Sequence, residues 1–427
     1  VYGEYAQGDA KTYGGATALY NKKLLNTNLR WEQSQTFEVG LDIGFLQNRL
    51  SFILDFYSRR TKDLLTKQAL PGYTGFSDIV TNMGTLRNSG FEAEVKANII
   101  NKGGFTWDMT ANITSVANKI ISLPYNNVEN NRVGGYEVAA GKVDADGKFP
   151  TKWIAGRQEG GKLGELVGYR QQHVFKDWDD VKQHANLRVD EVANLYGPGL
   201  ADQINPATGK TYKESSGWQP IEPGDACWED INGDNIINGY DRSVMGNIFP
   251  NVTGGFSTTF GYKGLSLYAR FDYALGHTLY NDLKARSLGQ YQGQFNIITD
   301  VKDMWSEANP NSDLTKFYYA DQLAKKNITR SNNASTAADN NSSRYYEKGD
   351  YLALREITLS YQLPKSLISK AHLTEASVYV TGQNLFYITG YDGVSPEPAV
   401  STTYGRGIDN GRYPTPRTFL FGLSLTF

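Results

Sequence analysis

At 427 residues the chain would ordinarily fill two or three soluble domains, but 28 Tyr and 44 Gly against 4 Met suit many strands with tight turns and an amphipathic belt better than a soluble enzyme. Lys plus Arg (43) nearly balances Asp plus Glu (45), so the chain lacks the basic excess that points to a nucleic-acid partner. A single cysteine, Cys227, excludes an intrachain disulfide framework. None of the four histidines (His173, His184, His277, His372) lies near it in sequence, so the thiol reads as incidental. No apolar run of about 18 residues is present to form a transmembrane helix. That says nothing against a membrane barrel, whose strands are only half apolar.

Taken in chain order, Val39, Leu41, Ile43 and Phe45 alternate with Glu38, Gly40, Asp42 and Gly44. After a turn at Gln47-Asn48, Phe52, Leu54 and Phe56 alternate with Ser51, Asp55 and Tyr57, Ile53 being out of pattern. Phe91, Ala93, Val95, Ala97 and Ile99 oppose Glu92, Glu94, Lys96 and Asn98. The turn Asn101-Lys102-Gly103-Gly104 then leads into Phe105, Trp107, Met109, Ala111 and Ile113. A strand is predicted at about 166–175. Phe256, Thr258, Phe260 and Tyr262 run through Lys263-Gly264 into Leu265, Leu267, Ala269, Phe271, Tyr273 and Leu275. Further strands are predicted at about 352–361 and 376–386. The final one, 417–427, sets Phe419, Phe421, Leu423, Leu425 and Phe427 on one side, with Leu420 the exception on the other.

Alternate side chains of a strand point to opposite faces, so each of these is an apolar ribbon backed by a polar one. There are roughly ten such strands, many with the ~9–11 residues that cross a bilayer at a tilt. Tight turns alternate with long polar connections at about 118–165, 176–250 and 286–349. The last carries Ser331-Asn332-Asn333-Ala334-Ser335 and Asn340-Asn341-Ser342-Ser343. A soluble β-sandwich or β-helix also alternates. A full strand ending on an aromatic residue, with short turns on one side and long loops on the other, instead fits the closing strand of an outer-membrane barrel. The expected fold is therefore all-β: a transmembrane antiparallel β-barrel with long extracellular loops, residues 1–427 forming part of one barrel domain in a bacterial outer membrane. The chain opens on Val1-Tyr2-Gly3-Glu4 without a leader pattern, so the expectation is a removed leader or an upstream portion of a longer protein.

The sharpest local chemistry lies at residues 230–241. Asp230, Asn232, Asp234, Asn238 and Asp241 stand at positions 1, 3, 5, 9 and 12, and Ile236 at position 7 offers its backbone carbonyl. This is the oxygen spacing of an EF-hand loop, in which a hard cation collects six or seven oxygens. Position 6 is Asn235 instead of Gly, and position 12 is Asp instead of Glu, as in the calcium loops of dockerin modules, which the segment resembles. Asp and Asn also build ordinary turns without metal. The expectation is a structural Ca²⁺ site that stiffens a long loop, with no part in catalysis.

Several motifs in the same order resemble the SusC/RagA-type TonB-dependent transporters. They include Asn28-Leu29-Arg30-Trp31-Glu32 followed by residues 36–44 and Asn48-Arg49-Leu50. Asp63-Leu64-Leu65, Gly75-Phe76, Thr81-Asn82-Met83-Gly84 and Asn88-Ser89-Gly90-Phe91-Glu92 come next. Pro223-Gly224-Asp225, the 230–241 loop, Asp241-Arg242, Gly246-Asn247, residues 351–359, Gly382-Gln383-Asn384-Leu385-Phe386, Gly390-Tyr391-Asp392-Gly393 and the last strand complete the set. The resemblance implies a barrel of about 22 strands with an amino-terminal plug, a TonB-contacting segment and a SusD-like surface lipoprotein as lid. It implies import of oligosaccharides or oligopeptides driven through TonB. About ten strands would be the carboxy-terminal part of such a barrel. Neither plug nor TonB box is recognisable, so TonB would be met through a portion outside this chain.

The implied lumen face carries Asp42, Glu92, Glu94, Lys96, Asp108, Arg270 and Asp272, of both signs, as a water-filled interior requires. The long connections are rich in Trp153, Tyr169, Trp178, Trp218, Trp228, Trp305, Tyr318 and Tyr319. Such rings stack on sugars, bury under a protein lid or simply pack a loop. No Ser/His/Asp, Cys/His or HExxH arrangement appears, so no enzyme is expected. The rival reading is a self-contained porin or adhesin barrel independent of TonB.

Overall fold

Nine strands make one antiparallel meander in which each strand pairs with its chain neighbours. They are β1 (Gln33–Phe45), β2 (Leu50–Lys62), β3 (Thr85–Lys102), β4 (Phe105–Ser122), β5 (Val252–Tyr262), β6 (Leu265–Leu275), β7 (Tyr351–Gln362), β8 (Glu375–Thr389) and β9 (Thr418–Thr426). The computed structural model describes residues 4–13, 16–285, 287–288, 298–317, 342–397, 407–411 and 413–427. Tyr318, Tyr319 and the turn clusters at 331–335 and 340–341 lie outside the described residues. A separate hairpin, Glu4–Tyr13 with Ala16–Lys23, precedes the sheet. The sheet is open, with β1 and β9 as its edges.

Connections sort by side, as the sequence predicts. At one end are the turns 46–49, 103–104 and 263–264 and the short helical segment at 363–374. Gly103-Gly104 and Lys263-Gly264 both hold positive φ at each position (65° and 79°, 47° and 88°), the mirror-image turn whose twist matches that of the flanking strands. At the other end are 63–84, 123–251, 276–350 and 390–417. β3 and β4 run 18 residues each, about 60 Å at ~3.3 Å per residue. They therefore climb well past a hydrocarbon core about 30 Å thick.

Register fixes the faces. Val39 pairs with Phe56 and Phe56 with Phe91. Ala111 pairs with Phe256, Phe256 with Phe271, Phe271 with Leu354 and Leu354 with Phe386. This apolar side stays open: Phe37 is 71% exposed, Phe421 82% and Phe427 87%. Most of the buried apolar residues lie in the loops instead, with Ile120, Ala274, Tyr351, Ala353, Leu354 and Ala376 the exceptions in the wall. A water-soluble sheet would do the reverse, and an uncovered apolar face of this extent needs a partner; hydrocarbon is that partner.

One predicted strand is corrected. Residues 166–175 are not part of the wall. Glu165–Tyr169 pairs with Arg242–Asn247, and Gln171–Val174 pairs with Ala226–Trp228. Leu166, Val167, Tyr169, Val174 and Phe175 are all buried, on both faces, whereas a wall strand alternates between lipid and lumen. The two predicted connections flanking it are thus a single insertion, 123–251, with small sheets and cores of its own. One core gathers Phe175, Val181, Ala185, Leu195, Ile221 and Cys227; another gathers Tyr169, Ala226, Trp228 and Ile237.

Candidate functional site

The polar face of the wall is the first component. Asp42, Glu92, Glu94, Lys96, Asp108, Arg270 and Asp272 all fall on it by register. Lys96 Nζ lies 2.6 Å from Glu94 Oε1, and Asn98 donates to Asp108 at 2.7 Å. Towards the loop end the face opens into a cleft of about 580 Å³ that Asn112, Thr114, Arg270, Asp272, Tyr351 and Arg355 line.

Arg355 organises this cleft, and the sequence reading passed over it. A register shift between Leu354 and Glu356 is a β-bulge, which re-aims side chains by letting two residues face one partner. Arg355 Nη2 donates to Asp272 Oδ2 at 2.9 Å, and its Nε donates to the other oxygen of that carboxylate. Nη2 also pairs with Glu397, from the 390–417 loop, and Nη1 donates to Tyr387 Oη at 3.0 Å. Tyr387 Oη closes the ring by donating to Glu397 Oε1 at 2.9 Å. The guanidinium is 17% exposed and both carboxylates 36%. A planar fork between two carboxylates thus straps an extracellular loop to the barrel wall. No local signal announces it, since Glu397 lies 42 residues along the chain from Arg355.

Arg355→Ala leaves Asp272 and Glu397 to repel each other. Partial exposure of the two carboxylates softens the cost of an orphaned ion pair to about 2 kcal/mol. Amide hydrogen exchange around residues 391–397 should accelerate by roughly 30-fold at that energy, and Arg355→Lys should restore only part of the protection. Unchanged exchange would mean that the loop is held elsewhere.

The 230–241 loop sits in the insertion. Asp241 and Asn232 are fully buried. Asp230 accepts from the amides of Gly233 (2.6 Å) and Asn235 (2.9 Å). Asp241 accepts from Ile231 and Asn238, both at 2.9 Å. Asp234 accepts from Ile236 at 2.7 Å, and Asn238 from Tyr240 at 2.9 Å. Asn235 adopts φ 63°, the left-handed turn that position 6 of such a loop requires. Burial pushes the Asp241 carboxyl up to about 6, and the neighbouring Asp230 and Asp234 charges add to it. A buried carboxylate facing two others is a donor set that fits a hard cation, which would add its charge to that of Lys142, whose Nζ donates to the Asp230 carbonyl at 3.2 Å.

Loop aromatics divide. Tyr169 and Trp228 are buried and pack the insertion edge to face at 6.4 Å. Trp218 meets Tyr212 at 5.3 Å, and the Arg132 guanidinium stacks 3.7 Å over Trp153. Trp305 donates to the Lys176 carbonyl at 3.2 Å. Trp178 stays 49% exposed. Cys227 is 1% exposed, and burial pushes its thiol up although Arg188 donates to the sulfur at 3.4 Å. That is the inert state of a structural thiol. His173 stands opposite it in register, a neighbour that sequence distance concealed.

The β-barrel model of the TonB dependent receptor-like family matches residues 1–218. The TonB-dependent receptor P3 of Formosa agariphila is 28% identical over 94% of this chain and 35% of its own length. The TonB-dependent receptor SusC of Bacteroides thetaiotaomicron is 28% identical over the whole chain and 34% of its own length. Among solved structures, the RagAB peptide transporter superposes with a TM-score of 0.66 at 20% identity, over the whole chain and 38% of the matched chain. The chain thus spans little more than a third of the length of these relatives.

Proposed function

The chain belongs to the TonB dependent receptor-like β-barrel family and to the bacterial outer membrane, and from that premise we propose that it forms part of the wall of a TonB-dependent importer. The cargo class is oligosaccharide or oligopeptide, and the protein works with a SusD-like surface lipoprotein. The observation that carries this is the division of the sheet: apolar side chains open to lipid on one face, and a hydrated face of mixed charge on the other. That second face suits passage and packing against a plug, and nothing about it calls for covalent chemistry. The two cargo classes come from the resemblance of the sequence motifs, and the RagAB neighbour is itself a peptide transporter.

The insertion and the neighbouring loops rise on the extracellular side, where a lid protein would dock, and exposed Trp178 and Tyr240 offer it aromatic anchors. A TonB contact would come from outside this chain. Calcium in the 230–241 loop, held by Asp230, Asn232, Asp234, the Ile236 carbonyl, Asn238 and Asp241, would stiffen that platform.

A self-contained porin or adhesin is the second reading. An unpaired strand edge in hydrocarbon is costly, so β1 and β9 must each meet another strand or each other. Cells deleted for the gene and complemented with it should take up labelled oligosaccharides or oligopeptides only with the gene present. Uptake should also stop when TonB is deleted or a protonophore is added. Uptake that survives both treatments would establish the independent channel instead.

A further inference from the structure

Outside the lumen, one group of His, Cys, Asp and Glu side chains among the described residues brings all its ligand atoms within 4.8 Å: His173, Asp180 and His184. The calcium-like loop is not in it, nor is Cys227. We propose that these three side chains form a binding site for a divalent transition metal of the zinc class, clamping the strand Gln171–Val174 to helix α1 (Trp178–Ala185) within the extracellular insertion. The site stands independently of the import reading.

The geometry is built from both elements. Asp180 and His184 are four apart on α1 and so share a face, while His173 arrives from the strand. His173 Nε2 lies 3.2 Å from Asp180 Oδ1, and His184 Nδ1 lies 2.7 Å from the same oxygen. The two imidazole rings stand 5.3 Å apart, edge to face. One carboxylate oxygen therefore serves two rings at once, an arrangement in which a metal replaces the bridging protons. Tetrahedral zinc at ~2.0–2.1 Å from each ligand sets them about 3.3 Å apart, within a side-chain adjustment of what is seen.

The other carboxylate oxygen is already held. The Lys176 amide donates to Asp180 Oδ2 at 3.0 Å, and Asp177 caps the helix by accepting from the Asp180 amide at 2.9 Å. This leaves Oδ1 as a single, oriented ligand atom, which is what a supporting shell does for a metal site. His173 and His184 are 36% and 43% exposed, so an ion can reach them. Two nitrogens and one oxygen suit zinc, cobalt, nickel or copper and disfavour calcium and magnesium, which take oxygen donors. Three protein ligands leave a fourth position for water or for a group from outside.

The test uses the whole protein, purified in detergent and stripped with a chelator. Titration with Co²⁺ should raise visible d–d absorption that saturates at one equivalent and is bleached by Zn²⁺. His184→Gln, at an exposed position, should weaken binding at least tenfold, and His173→Ala with His184→Gln should abolish the band. His372→Ala, in the turn at the opposite end of the wall, should leave it intact. Zn²⁺ should also slow amide exchange across residues 171–185 in the unaltered protein and not in the double variant. Absence of a saturable Co²⁺ band, or a band that persists in the double variant, would overturn the assignment.

Discussion

Ala269→Arg destabilises the folded protein in lipid by about 2–4 kcal/mol, whereas Thr259→Arg on the neighbouring strand changes it by less than about 1 kcal/mol. The two positions differ in the face they occupy. Ala269 pairs with Thr258 and Ile357 on the side that carries Phe256, Phe260 and Phe271. Thr259 pairs with Asp108 and Tyr268 on the polar side, where a new guanidinium finds a carboxylate directly opposite. Ala269 also lies mid-strand in β6, away from the interfaces, where the penalty of a charge in hydrocarbon is greatest. Urea unfolding of the protein reconstituted in thin-bilayer vesicles reads the difference directly. Equal, small effects at both positions would place water on both sides of the sheet and remove the membrane assignment.

Calcium-free protein should protect the 230–241 loop better at pH 5 than at pH 7.5, an inversion of the usual carboxylate behaviour. The Asp241 carboxyl is raised from 3.8 to about 6 in the fold. The folded loop therefore binds the proton more tightly than the unfolded one does. Its stabilising contribution is complete below about pH 4 and is lost as the pH rises through about 6. Two units amount to roughly 3 kcal/mol at neutral pH. Ca²⁺ at pH 7.5 should restore what the proton gave, because a bound cation neutralises the same charge. Limited proteolysis of the insertion with and without a chelator measures it, and Asp230→Ala with Asp234→Ala should remove the response to calcium while leaving most of the pH trend, which the burial of Asp241 sets. Cleavage that ignores pH and calcium alike would show an ordinary turn.

The wall was legible in the sequence because its physics is local. A strand between lipid and water must alternate, and a two-residue hairpin between such strands must use residues that accept positive φ, as Lys263-Gly264 and Gly103-Gly104 do. Nine of the ten predicted strands lie in the wall, and the tenth, 166–175, does not. Its apolar residues are buried on both faces inside the insertion, and a short doubly buried strand cannot be told from a wall strand by period alone. Asp230, Asn232, Asp234, Asn238 and Asp241 lie within twelve residues, so their grouping in one loop is local as well.

What only the tertiary structure decided are the sites assembled across distance. Arg355 meets Asp272 and Glu397 through a bulge and a loop that returns from beyond β8, and neither has a periodicity to read. His173 meets Asp180 and His184 because a strand and a helix of the insertion pack on a shared core. Composition and alternation determined that this chain is a membrane wall, because solvent on each face acts on every residue in turn. The cleft and the histidine site depend on which segments the insertion and loops bring together, and that is set by packing between elements remote in sequence.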